Sequence, residues 1–224
     1  MEDVKAIIEI KDIARTYHVG QVNVPALKGV TLTLNRGEFL IITGRNGSGK
    51  STLLHQLGLL DYPDKGTIRL NGQEVTSLAE SKRAELRLNT LGYVFQEYAL
   101  IGELTALENI MLPALAKVGK SACRHKALEL LIQVGLKGKE NRLPSQLSGG
   151  EQQKVAIARA LVNDPEVIFA DEPTANLDIR AAEDVLEIFK VLNNTGHTIV
   201  MITHEPEEVA YGNRVIELVD GRLK

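Results

Sequence analysis

The sequence predicts an α/β protein whose core is a mostly parallel β-sheet. Short apolar or β-branched runs alternate with longer helical patterns, which is typical of strands joined by crossover helices. Three of these runs are almost uninterrupted apolar segments, at residues 39–43, 167–170 and 198–202. Central parallel strands have this character because helices cover both of their faces. We therefore expect these three strands in the middle of the sheet.

The other predicted strands are shorter or more polar. In chain order, the full set covers residues 6–10, 30–34, 39–43, 67–70, 91–95, 167–170, 198–202 and 214–218. The turn formers Gly20, Pro25 and Gly29 separate the first two strands. This arrangement favours an exposed antiparallel layer formed by the N-terminal part of the chain.

Helical patterns fill the middle of the sequence. Between residues 96 and 154 there is no strong strand signal, only helical segments broken by glycine and proline. Another helical pattern lies further along the chain, where apolar residues are spaced three and four apart, at Ala182, Val185, Leu186, Phe189 and Leu192. We expect one domain, 1–224, with an α/β lobe of residues 1–95 plus 155–224 and an inserted helical lobe of residues 96–154.

Composition excludes several classes of protein. The chain has 26 basic and 29 acidic residues, 44% hydrophobic residues and 25% charged residues, a globular balance that argues against disorder and coiled coil. It has no basic patch interleaved with aromatics, so we expect no nucleic-acid binding. No apolar run approaches the roughly 18 residues of a membrane span, and the charged start does not resemble a signal peptide. The single cysteine, Cys123, fits a reducing compartment.

A glycine-rich loop directly after the strand at 39–43 is the strongest local signal. It matches the P-loop pattern and predicts a nucleoside triphosphate site, in which Lys50 reaches the β- and γ-phosphates and Ser51 binds Mg²⁺. A glycine-rich turn without a ligand is the alternative, but the pattern and its strand–loop–helix context together favour the nucleotide. The predicted nucleotide-binding residues of the loop are Gly44, Arg45, Asn46, Gly47, Ser48, Gly49, Lys50, Ser51 and Thr52.

Polar side chains follow the two other central strands. Asp171 and Glu172 end the strand at 167–170, and His204 follows the strand at 198–202. Because parallel strands present their carboxyl ends at one edge of a sheet, Asp171 could hold Mg²⁺ and Glu172 could polarise the attacking water. The alternative is that these acids only mark a strand leaving the core.

The segment Leu147-Ser148-Gly149-Gly150-Glu151 resembles the signature of ATP-binding cassette (ABC) ATPases. The resemblance extends over nearly the whole chain in the family's order, and it implies a P-loop core with an inserted helical subdomain. Tyr17 matches the aromatic that stacks on adenine, Gln96 the Q-loop glutamine that also binds the metal, and His204 the switch histidine. The signature residues Ser148, Gly149, Gly150 and Glu151 would contact nucleotide, and residues 175–178 are similar to the D-loop.

Several of these residues also have a purely structural interpretation. Ser148 and Glu151 have the spacing of a capping box at a helix start, which is compatible with anion binding there. Asp178 could be only the N-cap of the following helix. Tyr17 could be a simple aromatic at a strand edge.

The resemblance also implies partners and a mechanism. Two copies, or two paired ABC subunits, would enclose two Mg·ATP, with Glu172, His204 and Lys50 as the catalytic residues. Because the chain ends soon after the last strand, the membrane-spanning part would be a separate permease that contacts roughly residues 96–113. The ATPase would then lie on the cytoplasmic face of the membrane.

The subfamily resemblance is to the ATPases of lipoprotein-release, macrolide-export and cell-division systems. A polar amino-acid importer, a non-transporting regulator of a membrane protein and a soluble ABC ATPase are the alternatives. Residues 117–142 carry seven Lys or Arg against two Glu. This stretch could contact anionic lipid headgroups, although such runs are more often solvated helix faces.

Overall fold

The computed structural model describes residues 5–117 and 119–224. The charged start of the chain, residues 1–4, and Val118 of the basic stretch lie outside these ranges. The elements are β1 (Ala6–Val19), β2 (Val22–Asn35), β3 (Phe39–Thr43), α1 (Lys50–Leu57), β4 (Lys65–Leu70), β5 (Gln73–Glu74), α2 (Glu80–Thr90), β6 (Leu91–Val94), α3 (Ala106–Met111), α4 (Lys120–Gln133), α5 (Gly149–Leu161), β7 (Val167–Asp171), α6 (Ile179–Asn194), β8 (Thr198–Ile202), α7 (Pro206–Val209), β9 (Arg214–Val219) and β10 (Arg222–Leu223), with 3₁₀ turns at Ala114–Ala116 and Pro144–Gln146.

A six-stranded sheet forms the centre of the protein, in the order β10-β9-β3-β8-β7-β6. All neighbours from β9 to β6 are parallel, and only β10 runs antiparallel to β9. The strands β3, β8 and β7 lie inside the sheet and are almost entirely buried. The prediction of a mostly parallel sheet with these three strands at its centre is confirmed.

The N-terminal strands form a separate antiparallel sheet, in the order β2-β1-β4-β5. This layer is predicted correctly, but β1 and β2 are each 14 residues long and extend well beyond the predicted residues 6–10 and 30–34. The first four residues of β2 are exposed, so they lack the apolar alternation that identifies a half-buried strand.

The helix α2 is absent from the sequence-based prediction. Its sequence is mostly polar, and only Arg83 and Thr90 are buried. A helix held mainly by polar contacts gives no apolar period, and for that reason the pattern missed it. The two-residue strand β5 and the four-residue helix α7 are too short to give any periodic signal.

Two cores cover the two faces of the parallel sheet. In β3, Phe39 and Ile41 face the core that includes α3, α4, α5 and α6, whereas Leu40 and Ile42 face the core shared with α1 and the antiparallel layer. Within the described residues of 96–154, the regular elements are the helices α3, α4 and α5 and two 3₁₀ turns, with no strand, as predicted. The proposed lobe boundaries stay a prediction, and the one at 154 falls inside α5.

The surface of the helical region is highly charged. Within the basic stretch 117–142, Lys126 and Lys139 pair with Asp164 and Glu151, at 2.7 and 3.1 Å, so part of its charge is neutralised within the chain. Across the described ranges, no helix combines the length and the apolar character that crossing a bilayer requires.

Candidate functional site

The carboxyl ends of three adjacent central strands bring the predicted site together. The strands β3, β8 and β7 are parallel neighbours. The P-loop follows β3, Asp171 ends β7 with Glu172 directly after it, and His204 follows β8. Residues that are more than a hundred positions apart in sequence therefore share one edge of the sheet, which is where α/β sheets bind ligands.

Glycines allow the P-loop to pack closely against two other backbone segments, at Leu218 and at Ala26. Gly44 has a φ of 142°, and a Cβ there would lie 2.3 Å from the Leu218 carbonyl oxygen. Gly49, at φ 103°, caps α1, and a Cβ there would lie 2.4 Å from the Ala26 carbonyl oxygen. Both positions exclude side chains, so the glycine pattern has a steric cause at these two residues.

Two donors inside the loop suit a phosphate group. The Lys50 side chain is buried, and its Nζ donates to the carbonyl oxygens of Gly44 and Arg45 at 3.0 and 3.3 Å. The Ser48 hydroxyl is also buried and has no hydrogen-bond partner within the described part of the chain. Arg45, Asn46 and the exposed Ser51 complete the rim of the loop. A buried cation and an unsatisfied hydroxyl are competent ligands for phosphate oxygens.

Two of the three residues predicted to hold Mg²⁺ meet at the start of α1. Ser51 Oγ donates to Asp171 Oδ1 at 3.4 Å. Burial raises the pKa of Asp171, and the Glu172 charge adds to this rise, whereas the Ser51 hydrogen bond and the charges of His55 and Lys50 oppose it. A hydroxyl and a carboxylate are hard oxygen ligands of the kind that Mg²⁺ prefers, so these two residues fit the ion.

Gln96 is held differently from Ser51 and Asp171. It is exposed after β6, and its backbone carbonyl accepts a hydrogen bond from Asn176 Nδ2 at 3.1 Å. This contact ties the segment after β6 to the 175–178 loop. The role of the Gln96 side chain as a metal ligand stays a prediction.

Glu172 and His204 face each other across β7 and β8. Glu172 Oε2 lies 3.5 Å from His204 Nδ1, and His204 Nε2 lies 3.1 Å from Glu205 Oε1. Glu172 has a left-handed backbone with φ 45°, and its N–H donates to the Ile202 carbonyl oxygen at 3.2 Å. Such strained conformations of non-glycine residues concentrate at functional sites.

The segment 148–151 forms the start of α5. Ser148 Oγ accepts from the Glu151 N–H at 3.3 Å, and the Glu151 carboxylate accepts from the Ser148 N–H at 3.0 Å, so the predicted capping box is present. The Ser148 hydrogen bond and the nearby Lys139 lower the pKa of Glu151. Gly150 packs closely on α6, since a Cβ there would lie 2.8 Å from Ala181 Cβ.

The neighbouring D-loop segment also caps a helix. Asp178 Oδ1 accepts from the Ala181 N–H at 2.9 Å, which confirms that Asp178 is the N-cap of α6. The capping interpretations of Ser148 and Asp178 are therefore correct. A capped and exposed helix start is also suited to anions, so capping and nucleotide contact are compatible roles for these residues.

Tyr17 lies near the end of β1 and contacts the segment that follows α1. Its hydroxyl donates to Asp61 Oδ2 at 3.1 Å, and the Arg15 guanidinium lies over its ring, 4.9 Å from the centroid. The sequence analysis did not find Arg15 or Asp61. No motif marks them, because their spacing in the sequence is unrelated to their contact in the fold.

Gln153 is a second residue that the sequence analysis missed. It is fully buried on α5, and its Nε2 donates to the Pro173 carbonyl oxygen at 2.7 Å, next to Glu172. A weaker bond of 3.4 Å joins it to the Phe95 carbonyl oxygen. A polar residue at a buried position of α5 is the signal that could have identified it.

The structure thus brings the P-loop, Asp171, Glu172 and His204 to one edge of the sheet. The other predicted residues occupy positions set by different contacts. Tyr17 donates a hydrogen bond to Asp61, and Gln96 accepts one from Asn176. Ser148 lies at the start of α5, and this helix packs against α3, α4, α6 and β6.

Known proteins resemble this chain along nearly its full length. It is 48% identical over 217 residues to the macrolide export ATP-binding/permease protein MacB of Chlorobium phaeobacteroides. This match covers 97% of this chain and 33% of that protein. The chain thus spans about a third of such relatives. It is 47% identical over 221 residues to an uncharacterized ABC transporter ATP-binding protein of Thermotoga maritima, covering 98% of this chain and 94% of that one.

A solved structure matches the fold as well. It is the dimeric ATP-binding cassette MJ0796 in a post-hydrolysis state bound to ADP and Pi, with a TM-score of 0.91, 40% identity and 97% of each chain covered. These relatives fit the macrolide-export and lipoprotein-release subfamily that the resemblance predicts. The sequence profile of the ABC transporter family matches residues 27–175. Because this match covers more than half of the chain and a relative of similar length shares almost half of its residues, the chain belongs to the ABC transporter family as an ATP-binding cassette.

Proposed function

We propose that this chain binds and hydrolyses ATP as a dimer and so drives a membrane permease of the export type. The convergence of the P-loop, Asp171, Glu172 and His204 at one sheet edge is the observation that carries the proposal. Two contacts link these groups, a 3.4 Å hydrogen bond between Ser51 and Asp171 and a 3.5 Å approach of the Glu172 carboxylate to the His204 ring.

Each residue of the proposed site has a role in nucleotide binding or hydrolysis. Lys50 and the loop N–H groups bind the β- and γ-phosphates, and Tyr17 stacks on adenine. Glu172 orients the attacking water and accepts its proton, while His204 stabilises the charge that develops on the γ-phosphate. Mg²⁺, held by Ser51, Asp171 and Gln96, would supply positive charge beside the phosphates.

The segment 148–151 would act on the nucleotide bound by a second copy. Ser148 is exposed at the start of α5, where helix N–H groups and the helix dipole favour an anion. Ile179, directly after Asp178, is 80% exposed, and a second copy that covered it would remove this apolar side chain from water. The solved MJ0796 cassette is dimeric and bound to ADP and Pi, which supports a dimer as the active form.

Substitution of Glu172 tests the catalytic dimer. We expect Glu172→Gln to bind Mg·ATP, to lose turnover and to accumulate as an ATP-bound dimer, because the amide cannot accept the proton. Sedimentation velocity with and without Mg·ATP measures the dimer, and Glu207→Gln, which changes an exposed residue of α7, is the control. A monomeric Glu172→Gln protein in saturating Mg·ATP would contradict the dimer.

A groove beside the segment after β6 is suited to the permease. It has a volume of about 380 Å³ and lies between α2, β6 and α5, with the apolar residues Leu88, Tyr93, Phe95, Ala99 and Pro113 in its wall. Arg87 and Arg159 also line it. The groove adjoins the predicted contact segment 96–113, where Ile101 and Leu112 are 41% and 42% exposed. We infer that a cytoplasmic segment of the permease, apolar with acidic flanks, docks here.

This docking would place the ATPase on the cytoplasmic face of the membrane. Leu112→Glu should abolish co-purification with an integral membrane protein and leave the ATPase activity of the isolated chain unchanged. Ile132→Glu is the matched control, because Ile132 is 58% exposed on α4, outside the groove. Equal loss of co-purification in both variants would argue against the groove as the docking site.

A further inference from the structure

Asp61 is a hydrogen-bonding centre just after α1. Its carboxylate accepts from Arg15 Nε and Nη2 at 2.8 and 3.0 Å, from the Tyr17 hydroxyl at 3.1 Å and from Gln56 Nε2 at 3.4 Å. It also caps the Tyr62 N–H at 2.8 Å. No sequence motif marks this residue, and the proposed reaction does not use it.

The contacts of Asp61 fix the Tyr17 ring in two ways. The hydroxyl is held by the carboxylate, and the Arg15 guanidinium that bridges to the same carboxylate lies over one face of the ring, 4.9 Å from its centroid. A cation at this distance attracts the ring electrons and occupies that face. A base can therefore stack only on the opposite face.

Further contacts hold both the backbone of Asp61 and its partner Arg15 in place. The backbone carbonyl of Asp61 accepts from Arg83 Nη2 at 2.6 Å, and the buried Arg83 guanidinium stacks on Tyr62, 3.8 Å from its ring centroid. On the other side, Asp64 accepts from Arg15 Nη1 at 2.8 Å and from the Thr16 N–H at 2.6 Å. The orientation of the Tyr17 ring is therefore determined by the segment that ends the P-loop helix.

We propose that Asp61 and Arg15 are positioning residues that hold the Tyr17 ring for an adenine base and so contribute to base recognition separately from phosphate binding. This inference rests on the proposed function, in which Tyr17 stacks on adenine. A pre-oriented ring loses less conformational freedom when the base binds, which is why rigid contacts favour affinity.

Two ligands separate base binding from phosphate binding. Mg·ATP would use both the P-loop and Tyr17, whereas Mg·tripolyphosphate can use only the P-loop. We expect Tyr17→Phe and Asp61→Asn each to weaken Mg·ATP binding by roughly 3- to 10-fold, the scale of the net contribution of one ordinary hydrogen bond, and to leave tripolyphosphate binding unchanged. The double variant should lose no more than Asp61→Asn alone, because Tyr17→Phe removes only the hydroxyl contact to the Asp61 carboxylate, which Asp61→Asn also disrupts.

Further variants distinguish a failure of the positioning role from a failure of the adenine contact itself. Arg36→Gln removes another surface arginine, paired with Glu166 at 2.6 Å, and should change neither affinity. Tyr17→Ala tests the stacking itself, and unchanged ATP affinity in this variant would contradict the adenine contact of the proposed function. If Tyr17→Ala weakens ATP binding but Tyr17→Phe, Asp61→Asn and Arg15→Gln do not, only the positioning role is wrong.

A purely structural role of Asp61 would give a different result. If Asp61 merely supported α1, its substitution would weaken ATP and tripolyphosphate equally, and this result would overturn the inference. Tyr17→Phe and Arg15→Gln keep the test decisive should Asp61→Asn fail to fold. Isothermal titration of each folded variant with both ligands supplies the measurement.

Discussion

Glu172 Oε2 lies 3.5 Å from His204 Nδ1, although the two residues follow different strands, β7 and β8. The contact places the proposed base, Glu172, beside a side chain that can donate to a phosphate oxygen. We expect His204→Ala to retain ATP binding and to lower turnover by about 10²–10³-fold, as removal of one charge-stabilising donor does in other enzymes. His125→Ala, at an exposed position on α4, is the control. Full activity of His204→Ala in a steady-state ATPase assay would show that the contact is not used.

The Gly49 position should tolerate no side chain. A Cβ there would lie 2.4 Å from the Ala26 carbonyl oxygen, so Gly49→Ala must displace backbone as well as strain φ. We expect lower thermal stability and loss of ATP affinity. Gly135→Ala is the matched control, because Gly135 also has a left-handed φ but has open space around it, and it should cost only about 1 kcal/mol. Thermal unfolding that shifts equally in both variants would contradict the steric argument.

Two capping boxes allow the structural and functional roles of Ser148 to be separated. Ser148 caps α5 and Thr105 caps α3 in the same way. We expect Ser148→Ala and Thr105→Ala each to lower the unfolding free energy by about 1 kcal/mol, the usual cost of a lost N-cap. Only Ser148→Ala should also reduce ATP turnover of the isolated chain. Similar turnover in the two variants would limit Ser148 to capping.

Glu151 should make stability depend on pH. Its pKa is lowered in the folded state by the Ser148 N–H and by Lys139. A lowered folded-state pKa stabilises the protein above the unfolded value of about 4.3, and the contribution is lost as pH falls towards the folded-state pKa. Urea unfolding should therefore show wild type more stable than Glu151→Gln at pH 7, with the difference shrinking below about pH 4.5. An unchanged difference at low pH would exclude the ionised carboxylate as its source.

The sequence was most informative where one chemical pattern dominates. Unbroken apolar strands predicted β3, β7 and β8, and glycine spacing predicted the P-loop, because burial and close backbone approach leave few alternatives at these positions. The helix α2 escaped prediction since polar contacts hold it, including Arg83 on the Asp61 carbonyl. Asp61 itself lies 44 positions from Tyr17, and the pairing of β1 with β4, in which Ala14 lies opposite Lys65, helps to bring the two together.

Gln153 should connect the α5 helix to the position of Glu172. Its buried Nε2 donates to the Pro173 carbonyl oxygen at 2.7 Å, one residue after Glu172. Gln153→Ala removes this donor and leaves a buried carbonyl unsatisfied, which should cost about 1–3 kcal/mol of unfolding free energy. Because Pro173 follows Glu172 directly, we also expect kcat to fall while the KM for ATP stays near that of the wild type.

Gln152 supplies the matched control for this last prediction. It is the neighbouring residue of α5, and its amide donates at the helix start to the Leu147 carbonyl oxygen at 3.2 Å. Gln152→Ala should change stability less and should leave kcat unaltered, since it does not contact the loop after β7. If Gln153→Ala loses stability without any loss of kcat under conditions where it remains folded, Gln153 contributes only to packing. If both variants lose kcat to the same extent, the effect comes from α5 as a whole rather than from the bond to Pro173.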